Sequence, residues 1–441
     1  MSFFNVTSGE VAVITAERTY SYKELLCAPF DNQQKQLILI LCDGTFESLS
    51  AYVTAMNSQH AVMLLASDIN EELLSSIITQ YKPEWIVGLQ EWIGYSKEGQ
   101  RLIRIEKINA VIHEDLALLL STSGTTGSQK FVRLSYANLR ANAQSIQQYL
   151  DIDAQERAIL NLPLSYSYGM SIVNSHLLAG ATLVLTNDSV LQKSFWSFIK
   201  EVKATSLAGV PFTYQMLQRV GFIKMDLPDL RVLTQAGGRL NEKLVRYFAN
   251  YANEMNKHFY VMYGQTEAAP RMSYIPSNRV LDKAGSIGIA VPDGKLEVID
   301  DELVYTGENV MLGYAETLED LAKGDELHGV LHTGDTATVD DEGYFTITGR
   351  LKRFIKLFGL RINLDDVEKK LEQRFQTPLA CTGTDDKLII VIEQEQFSDD
   401  IKKAIEELYH LHKSAFKVKV LDIPHFLNGK TNYMKLKEKC I

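Results

Sequence analysis

Cysteine is scarce in this chain, which has 441 residues and four cysteines. Cys27, Cys42, Cys381 and Cys440 lie far apart and form no Cys-x-x-Cys pair or Cys/His group with metal-ligand spacing. Disulfide-rich secreted proteins and zinc-binding modules both depend on such spacing. The sequence therefore supports neither a disulfide scaffold nor a zinc site, and it predicts ordinary reduced thiols.

Long apolar runs and an excess of positive charge are also missing. No uninterrupted apolar run reaches bilayer-spanning length, and the N-terminus lacks the basic segment and apolar stretch of a secretory signal. The formal net charge is −10, whereas sequence-independent binding of nucleic acid needs a positive surface. The sequence predicts a cytoplasmic protein with no membrane span and no nucleic acid partner.

Apolar residues are plentiful, at 46% of the chain, and the length favours more than one domain. Short apolar runs alternate with polar, helix-like stretches such as 68–81, a βα pattern that is typical of mostly parallel, buried sheets covered by helices. The predicted strands are 37–42, 61–66, 86–88, 116–120, 181–185, 206–210, 232–235 and 258–262.

The pattern changes at Lys295, after which short strands are predicted at 296–299, 303–305 and 344–348. Beyond Arg350 come a helix at 365–375, a strand at 388–393 and a helix at 399–412. The prediction is an α/β protein in two domains. Residues 1–351 form a large domain of layered, mostly parallel sheets with helices and a small β-barrel-like part, and residues 352–441 form a small, mobile α+β domain.

The sharpest local signal directly follows the apolar run at 116–120. From position 121 to position 130 the chain reads Ser-Thr-Ser-Gly-Thr-Thr-Gly-Ser-Gln-Lys. Glycine lets backbone N–H groups converge on an anion, hydroxyls can donate to phosphate oxygens, and lysine adds a cation. The spacing does not fit a Walker loop, and a flexible linker is the alternative. The candidate phosphate ligands are Thr122, Ser123, Gly124, Thr125, Thr126, Gly127 and Lys130.

Further motifs follow in a fixed order along nearly the whole chain. They begin at Tyr20 (YSYKEL), Leu162 (LPLSYSYG), Val210 (VPF), Ala236 (AGG), Tyr263 (YGQTE), His332 (HTGD), Gly349 (GRLKRFIK), Phe358 (FGLRIN) and Pro424 (PHFLNGK). Together with the phosphate loop, this succession resembles the superfamily of adenylate-forming enzymes, which comprises acyl-CoA synthetases, nonribosomal-peptide adenylation domains and luciferases. One departure is Gln129, where the family usually has proline or another small residue.

The resemblance implies that the large domain binds ATP and Mg²⁺. Tyr263 would stack on adenine, next to the small residues Gly237 and Gly264. Thr266 would donate to the α-phosphate, and Glu267 would hold Mg²⁺, an ion that proteins usually bind through one or two carboxylates plus substrate phosphates. Thr266 and Glu267 are therefore predicted to be catalytic, and Glu267 is the predicted metal ligand.

The resemblance also implies roles for five residues further along the chain. The Asp335 carboxylate would accept hydrogen bonds from the ribose hydroxyls, and Arg350 would contact the ribose. Lys352 would be the pivot between the domains, where most relatives have aspartate and the luciferase-like branch has lysine. Gly359 would line the route of the thiol. Lys430 would bridge the attacking carboxylate and the α-phosphate, and it is the predicted catalytic cation.

The implied reaction is the adenylation of a carboxylic acid to acyl-AMP, with release of pyrophosphate, and transfer of the acyl group to a thiol. The acceptor is either coenzyme A or the phosphopantetheine arm of an acyl or peptidyl carrier protein. Asn428 is typical of enzymes that load carrier proteins. Tyr166 is followed by Ser167, where amino-acid-activating relatives have an aspartate for the α-amino group, so an ordinary amino acid is disfavoured and a hydroxy acid stays open.

Two readings from other classes remain as alternatives. The chain could be a nucleotide-binding regulatory protein that kept the fold without the chemistry, although Lys430, Glu267 and Asp335 are all present. Lys352 alone raises a luciferase-type oxygenase as a remote alternative. Pyrophosphate release that depends on a carboxylic acid distinguishes the ligase from the regulatory protein.

Overall fold

The computed structural model describes residues 2–5, 8–26, 28–30, 34–121, 130–351, 353–357, 360–384, 387–409, 411–426 and 431–440. Within these residues the α-helices are α1 (Phe46–Asn57), α2 (Glu71–Tyr81), α3 (Tyr136–Leu150), α4 (Ser167–Leu178), α5 (Lys193–Glu201), α6 (Pro211–Arg219), α7 (Glu242–Glu254), α8 (Leu364–Phe375), α9 (Ser398–Tyr409) and α10 (Tyr433–Cys440).

The strands of the same residues are β1 (Val11–Ile14), β2 (Thr19–Ser21), β3 (Leu37–Cys42), β4 (Ala61–Ala66), β5 (Trp85–Val87), β6 (Tyr95–Glu98), β7 (Arg101–Arg104), β8 (Leu116–Ser121), β9 (Phe131–Ser135), β10 (Arg157–Leu160), β11 (Thr182–Leu185), β12 (Ser206–Gly209), β13 (Val232–Gln235), β14 (His258–Tyr263), β15 (Ser273–Ile275), β16 (Ile289–Ala290), β17 (Lys295–Ile299), β18 (Glu302–Thr306), β19 (Gly313–Ala315), β20 (Val330–Val339), β21 (Phe345–Arg350), β22 (Phe354–Leu357), β23 (Leu360–Asn363), β24 (Leu379–Thr384), β25 (Lys387–Ile392) and β26 (Phe416–Val420).

These elements form two compact units. The first consists of the described residues of Met1–Gly124, Ser128–Leu296 and Tyr305–Leu331. The second consists of those of Glu297–Val304 and His332–Ile441. No helix in the part of the chain that the structure describes is long and apolar enough to cross a membrane.

A nine-stranded sheet in the first unit has the order β16-β15-β14-β13-β12-β10-β11-β1-β2. The pairings from β14 through β11 to β1 are parallel, and β2, β15 and β16 pair antiparallel with their neighbours. Parallel strands end at the same edge of a sheet, and ligands bind outside their carboxyl ends in open α/β sheets. The loops after β10, β12, β13 and β14 therefore share one edge.

An eight-stranded sheet in the same unit has the order β19-β9-β8-β4-β3-β5-β7-β6. Its central strands β3, β4 and β8 are parallel and are built almost entirely of buried aliphatic residues. Helix α2 packs Leu74, Ile77, Ile78 and Tyr81 into the same core. The helix begins at Glu71, three residues later than predicted, because the Asn70 side chain accepts hydrogen bonds from the Glu72 and Leu73 N–H groups and caps it.

The strand that follows the candidate phosphate loop was not predicted. β9 returns antiparallel to β8, with Ser121 opposite Phe131, so residues 122–130 connect two neighbouring strands. Strand β9 has the sequence FVRLS and is buried along its whole length. The charged Arg133 at its centre hides the apolar pattern that marks the other buried strands.

The second unit contains most of a four-stranded sheet in the order β17-β18-β20-β21 and a three-stranded sheet in the order β24-β25-β26. Helices α8 and α9 pack against the three-stranded sheet through Val367, Leu371, Ile401 and Ile405, which are all fully buried. The predicted helix at 365–375, strand at 388–393 and helix at 399–412 correspond to α8, β25 and α9.

Candidate active site

The loops at the carboxyl edge of the nine-stranded sheet carry the motifs that the sequence singles out. The loop after β10 leads into Tyr166 and helix α4, α6 begins directly after β12, and Ala236 to Gly238 follow β13. Tyr263 is the last residue of β14, and Gly264 to Glu267 continue from it. The parallel registers of these strands bring the segments to one edge.

Two glycines at this edge keep backbone and side chains close together. Gly237 has a φ of +82°, and a Cβ there would lie 2.3 Å from the Tyr166 hydroxyl. A Cβ at Gly264 would lie 1.6 Å from the Pro270 carbonyl oxygen. Only glycine fits either position without a shift of its surroundings, so both predicted glycines have a steric reason to be present. Tyr263, next to Gly264, is partly exposed. Its hydroxyl lies 3.4 Å from the side-chain Nε2 of Gln265, which donates to it.

Thr266 begins a short 3₁₀ turn directly after β14. Its hydroxyl lies 3.2 Å from the hydroxyl of Ser167, the first residue of α4. Each hydroxyl can donate and accept, so the pair can share one proton and direct another toward a ligand. The structure therefore joins the YGQTE motif to the segment that begins at Leu162.

The Glu267 carboxylate is held by a tyrosine that the sequence did not assign. Tyr314 of strand β19 donates a hydrogen bond of 2.9 Å to Glu267 Oε1. Burial raises the pKa of the Tyr314 hydroxyl and the neighbouring carboxylate raises it further, so the hydroxyl stays protonated and donates. The Lys130 Nζ lies 3.5 Å from the centroid of the same ring. A carboxylate oriented in this way keeps further lone pairs for a divalent cation, which fits the predicted Mg²⁺.

A buried arginine fixes the strand that carries Tyr314. Arg133 has no exposed surface, and its guanidinium donates to four backbone carbonyls and one carboxylate. These acceptors are the carbonyl oxygens of Tyr314 (3.0 Å), Gly324 (3.3 Å), Leu312 (3.4 Å) and Lys323, and the carboxylate of Glu326. The buried guanidinium thus has its hydrogen-bonding capacity satisfied, and it ties strand β9 to residues 312–326.

Replacement of Arg133 by methionine should lower the free energy of unfolding by about 3 kcal/mol or more, because five hydrogen bonds from one buried guanidinium are lost together. Urea denaturation of the purified variant measures this loss. Arg219 is an exposed arginine near the end of α6, and its replacement by methionine should change stability by less than about 0.5 kcal/mol. Equal losses in the two variants would contradict the role given to Arg133.

Asp335 and Arg350 lie in the second unit, opposite each other on the antiparallel strands β20 and β21. The Arg350 Nε is 3.2 Å from Asp335 Oδ1. Asp335 is 6% exposed, whereas the side chain of Arg350 is 59% exposed. The predicted ribose ligands are therefore an ion pair, with the carboxylate fixed and the guanidinium open to solvent.

Nine predicted site residues lie outside the described residues: Thr122, Ser123, Gly124, Thr125, Thr126, Gly127, Lys352, Gly359 and Lys430. Gln129 and Asn428 also lie outside them. Among the described site residues of the first unit, Glu267 and Lys130 meet at the side chain of Tyr314. Thr266 contacts Ser167 through its hydroxyl. Sequence reasoning missed Tyr314 and Arg133. Tyr314 ends the sequence Met311-Leu312-Gly313-Tyr314, which also resembles a segment of the adenylate-forming enzymes, and this resemblance is the available signal. Nothing in the local sequence marks Arg133.

The comparison with protein families matches the family of AMP-binding enzymes to residues 31–315. Among curated proteins, a feruloyl-CoA synthase from an Amycolatopsis species is 31% identical over 278 residues, which cover 58% of this chain and 54% of the relative. A long-chain-fatty-acid–CoA ligase from Salmonella typhimurium is 24% identical over 456 residues, 95% of this chain and 78% of the relative. The chain thus spans about half the length of the feruloyl-CoA synthase that it matches.

Solved structures share the fold. The O-succinylbenzoate coenzyme A synthetase from Bacillus subtilis, in complex with AMP, has a TM-score of 0.76 at 19% identity and covers 97% of this chain and 95% of its own. ATP-bound MatB from Rhodopseudomonas palustris has a TM-score of 0.74 at 19% identity, with 98% and 96% covered. This similarity confirms the predicted α/β fold class.

Proposed function

The chain belongs to the family of AMP-binding enzymes, and from this premise we propose that it is an ATP- and Mg²⁺-dependent acid–thiol ligase. It converts a carboxylic acid to acyl-AMP with release of pyrophosphate, and then transfers the acyl group to coenzyme A. The observation that carries the proposal is the Glu267 carboxylate, oriented by Tyr314 beside Lys130, at the edge of the sheet where ligands bind.

In this proposal the protein promotes adenylation by positioning the substrates and by stabilising negative charge, and none of its side chains acts as a nucleophile. Glu267 holds Mg²⁺, which neutralises the triphosphate when it is bound. Thr266, with Ser167 behind it, donates to the α-phosphate. Tyr263 faces adenine at the edge that Gly237 and Gly264 leave open, and Lys130 with the loop at 122–127 contacts the outer phosphates.

The second half-reaction is assigned to the C-terminal residues. We place the domain boundary between residues 351 and 352, with Lys352 as the pivot, so that rotation of residues 352–441 removes Lys430 and brings Gly359 to the thiol. Motions of this kind limit turnover in many enzymes. The cytoplasmic location is also a proposal, which is supported by Cys42, Cys381 and Cys440, all free and buried.

Coenzyme A is the favoured acceptor, because the two curated relatives described above are named as a CoA synthase and a CoA ligase. The second candidate is the phosphopantetheine arm of a carrier protein, and Asn428 is the observation that favours it. Neither candidate acceptor determines which carboxylic acid is activated. Ser167 in place of a carboxylate disfavours a substrate with a free α-amino group.

The test is a screen for pyrophosphate release across fatty, aromatic, hydroxy and dicarboxylic acids, each with ATP and Mg²⁺. Positive acids are then supplied with coenzyme A or with a phosphopantetheinylated carrier protein, and the thioester is detected by mass spectrometry. We expect acid-dependent pyrophosphate release and a thioester with coenzyme A. A protein that binds ATP but releases no pyrophosphate with any acid would be the regulatory protein instead.

The ribose contact gives a prediction of its own. Replacement of Asp335 by alanine should raise the KM for ATP about 30-fold with a smaller change in kcat, since hydrogen bonds to a charged group contribute about 1.5–3 kcal/mol. The wild-type enzyme should also prefer ATP to 3′-deoxy-ATP, and the variant should lose this preference. Steady-state kinetics with both nucleotides measure the two effects.

Asp341 is an exposed aspartate in the turn after β20, and it provides the matched control. Its replacement by alanine should leave the KM for ATP within about twofold, as expected of surface substitutions. If the Asp335 variant kept the preference for ATP over the deoxynucleotide, this carboxylate would not be the ribose ligand.

A further inference from the structure

The first unit contains a cavity between helices α3 and α4 and the nine-stranded sheet. It is bounded by helices α3 and α4 and by strands β10, β12, β13 and β14. Most of its lining is apolar and includes Ile146, Ile159 and Met262. Three strongly polar side chains also line it: Glu156, His176 and Arg271.

Arg271 is in an unusual environment for a charged residue. It is 4% exposed, and its Nε has no hydrogen-bond partner among the described residues. The guanidinium lies over the ring of Tyr168, 4.0 Å from the centroid. The Arg271 side chain also hydrogen-bonds the Tyr149 hydroxyl; burial raises the pKa of Tyr149, and the charge of Arg271 and this hydrogen bond lower it in part. An arginine keeps its charge inside a protein, so its burial is costly unless an anion or another acceptor pairs with it.

The carboxylate that shares the cavity is already engaged. Glu156 lines the same cavity, but its Oε1 pairs with Arg231 at 2.6 Å and its Oε2 accepts a hydrogen bond from Thr205. The tyrosine face provides a partial substitute for a counter-ion through a cation–π contact. The cavity therefore offers a buried donor to a ligand that brings its own acceptor.

Consecutive residues at the start of α4 contact the candidate reaction site and line the cavity. Tyr166 packs against Gly237, Ser167 contacts Thr266, and Tyr168 lines the cavity with its hydroxyl 2.8 Å from that of Thr234. Ser167, the partner of Thr266, is thus followed in α4 by a residue that lines the cavity.

The backbone of Arg271 is tied to the same short segment as Glu267. The Asn309 amide donates to the carbonyl oxygens of Ala268 (2.6 Å) and Arg271 (2.8 Å), and Asn142 contacts the same two oxygens at 3.5 and 3.3 Å. These two asparagines hold the backbone of Ala268 and Arg271 in place.

We propose that this cavity receives the distal part of the acyl group, and that Arg271 pairs with a second oxygen acceptor on it. This inference rests on the proposed function and names its substrate class. The preferred acids carry a carboxylate or a carbonyl away from the reacting carboxylate, and plain fatty acids are poor substrates. A site with a buried donor rejects an analogue that lacks the acceptor, because the donor is then left unpaired.

The probes are straight-chain acids of four to ten carbons in three matched series: monocarboxylic, α,ω-dicarboxylic and terminal methyl-keto acids. Pyrophosphate release with ATP and Mg²⁺ gives kcat/KM for each acid. At one chain length or more, we expect the dicarboxylic or the keto acid to exceed the plain acid by about tenfold or more. The comparison of these two series tells whether the acceptor is a carboxylate or a neutral carbonyl.

Arg271→Met keeps the size of the side chain and removes the donor. It should erase the preference and leave the plain acid within about threefold of the wild-type value. Arg271→Lys keeps the charge and should retain part of a preference for the dicarboxylic acid. Met262→Leu is the control, since it changes the cavity wall without charge and should change kcat/KM by the same factor for all three series.

Two results would overturn the inference. One is a wild-type preference for the plain acid at every length, and the other is an equal loss for all acids in Arg271→Met, which would make the arginine a purely structural residue. Thermal denaturation identifies a variant that fails to fold, and in that case the wild-type profile and Arg271→Lys decide. The failure of the proposed function looks different, because no acid would then release pyrophosphate.

Discussion

Replacement of Lys430 by alanine should lower the rate of acyl-AMP formation by about 10²-fold or more, comparable to the loss of one preorganised transition-state donor. The reaction joins two anions, the carboxylate and the α-phosphate, and a cation between them offsets their repulsion. Transfer of the acyl group from supplied acyl-AMP to the thiol should be affected much less, because Lys430 has no part in that step. Pyrophosphate release measures the first half-reaction, and thioester formation from synthetic acyl-AMP measures the second.

The matched control is Lys437→Ala, which removes an exposed lysine of helix α10 in the same C-terminal segment. It should leave both rates within about twofold. A bulky residue in place of Gly359 should give the opposite pattern to Lys430→Ala, with adenylation retained and transfer lost. If both variants lost equal amounts in both half-reactions, a rotation that exchanges Lys430 for Gly359 would be wrong.

The elements that could be predicted are those whose own local sequence is enough to determine their structure. Strands β3 and β4 are runs of buried aliphatic residues between polar neighbours, and their bounds match the prediction. Strand β9 was missed, because Arg133 interrupts its apolar pattern. That arginine is buried by carbonyl groups from residues 312–324, and no local pattern reveals a partner so distant in the chain.

The residues of the candidate site also fall into those that the sequence predicts and those that it does not. Thr266 and Glu267 could be named from the sequence, since they follow an apolar strand in a recognisable motif. Tyr314 and Arg271 could not be assigned a role, because each acts through contacts with elements far away in the chain. Their importance depends on burial and on the direction of a side chain, and these become known only when the strands and helices are packed.

Replacement of Glu267 by glutamine should lower the rate of pyrophosphate release by about 10²- to 10³-fold, on the order expected for the loss of one group that stabilises transition-state charge. The amide has nearly the same size and can still accept the hydrogen bond from Tyr314, so the packing around it is preserved. What is lost is the negative charge that a hard cation requires. The concentration of Mg²⁺ that gives half-maximal activity should rise in parallel.

Tyr314→Phe separates the orientation of the carboxylate from its charge. The ring that lies against Lys130 is retained, while the 2.9 Å hydrogen bond to Glu267 Oε1 is lost. We expect a decrease of about tenfold in the apparent affinity for Mg²⁺, because partners of metal ligands typically contribute 10- to 100-fold. Titration of activity with Mg²⁺ at saturating ATP and acid compares the three proteins. A normal Mg²⁺ dependence in Glu267→Gln would place the cation on other residues and remove the central support for the proposed ligase.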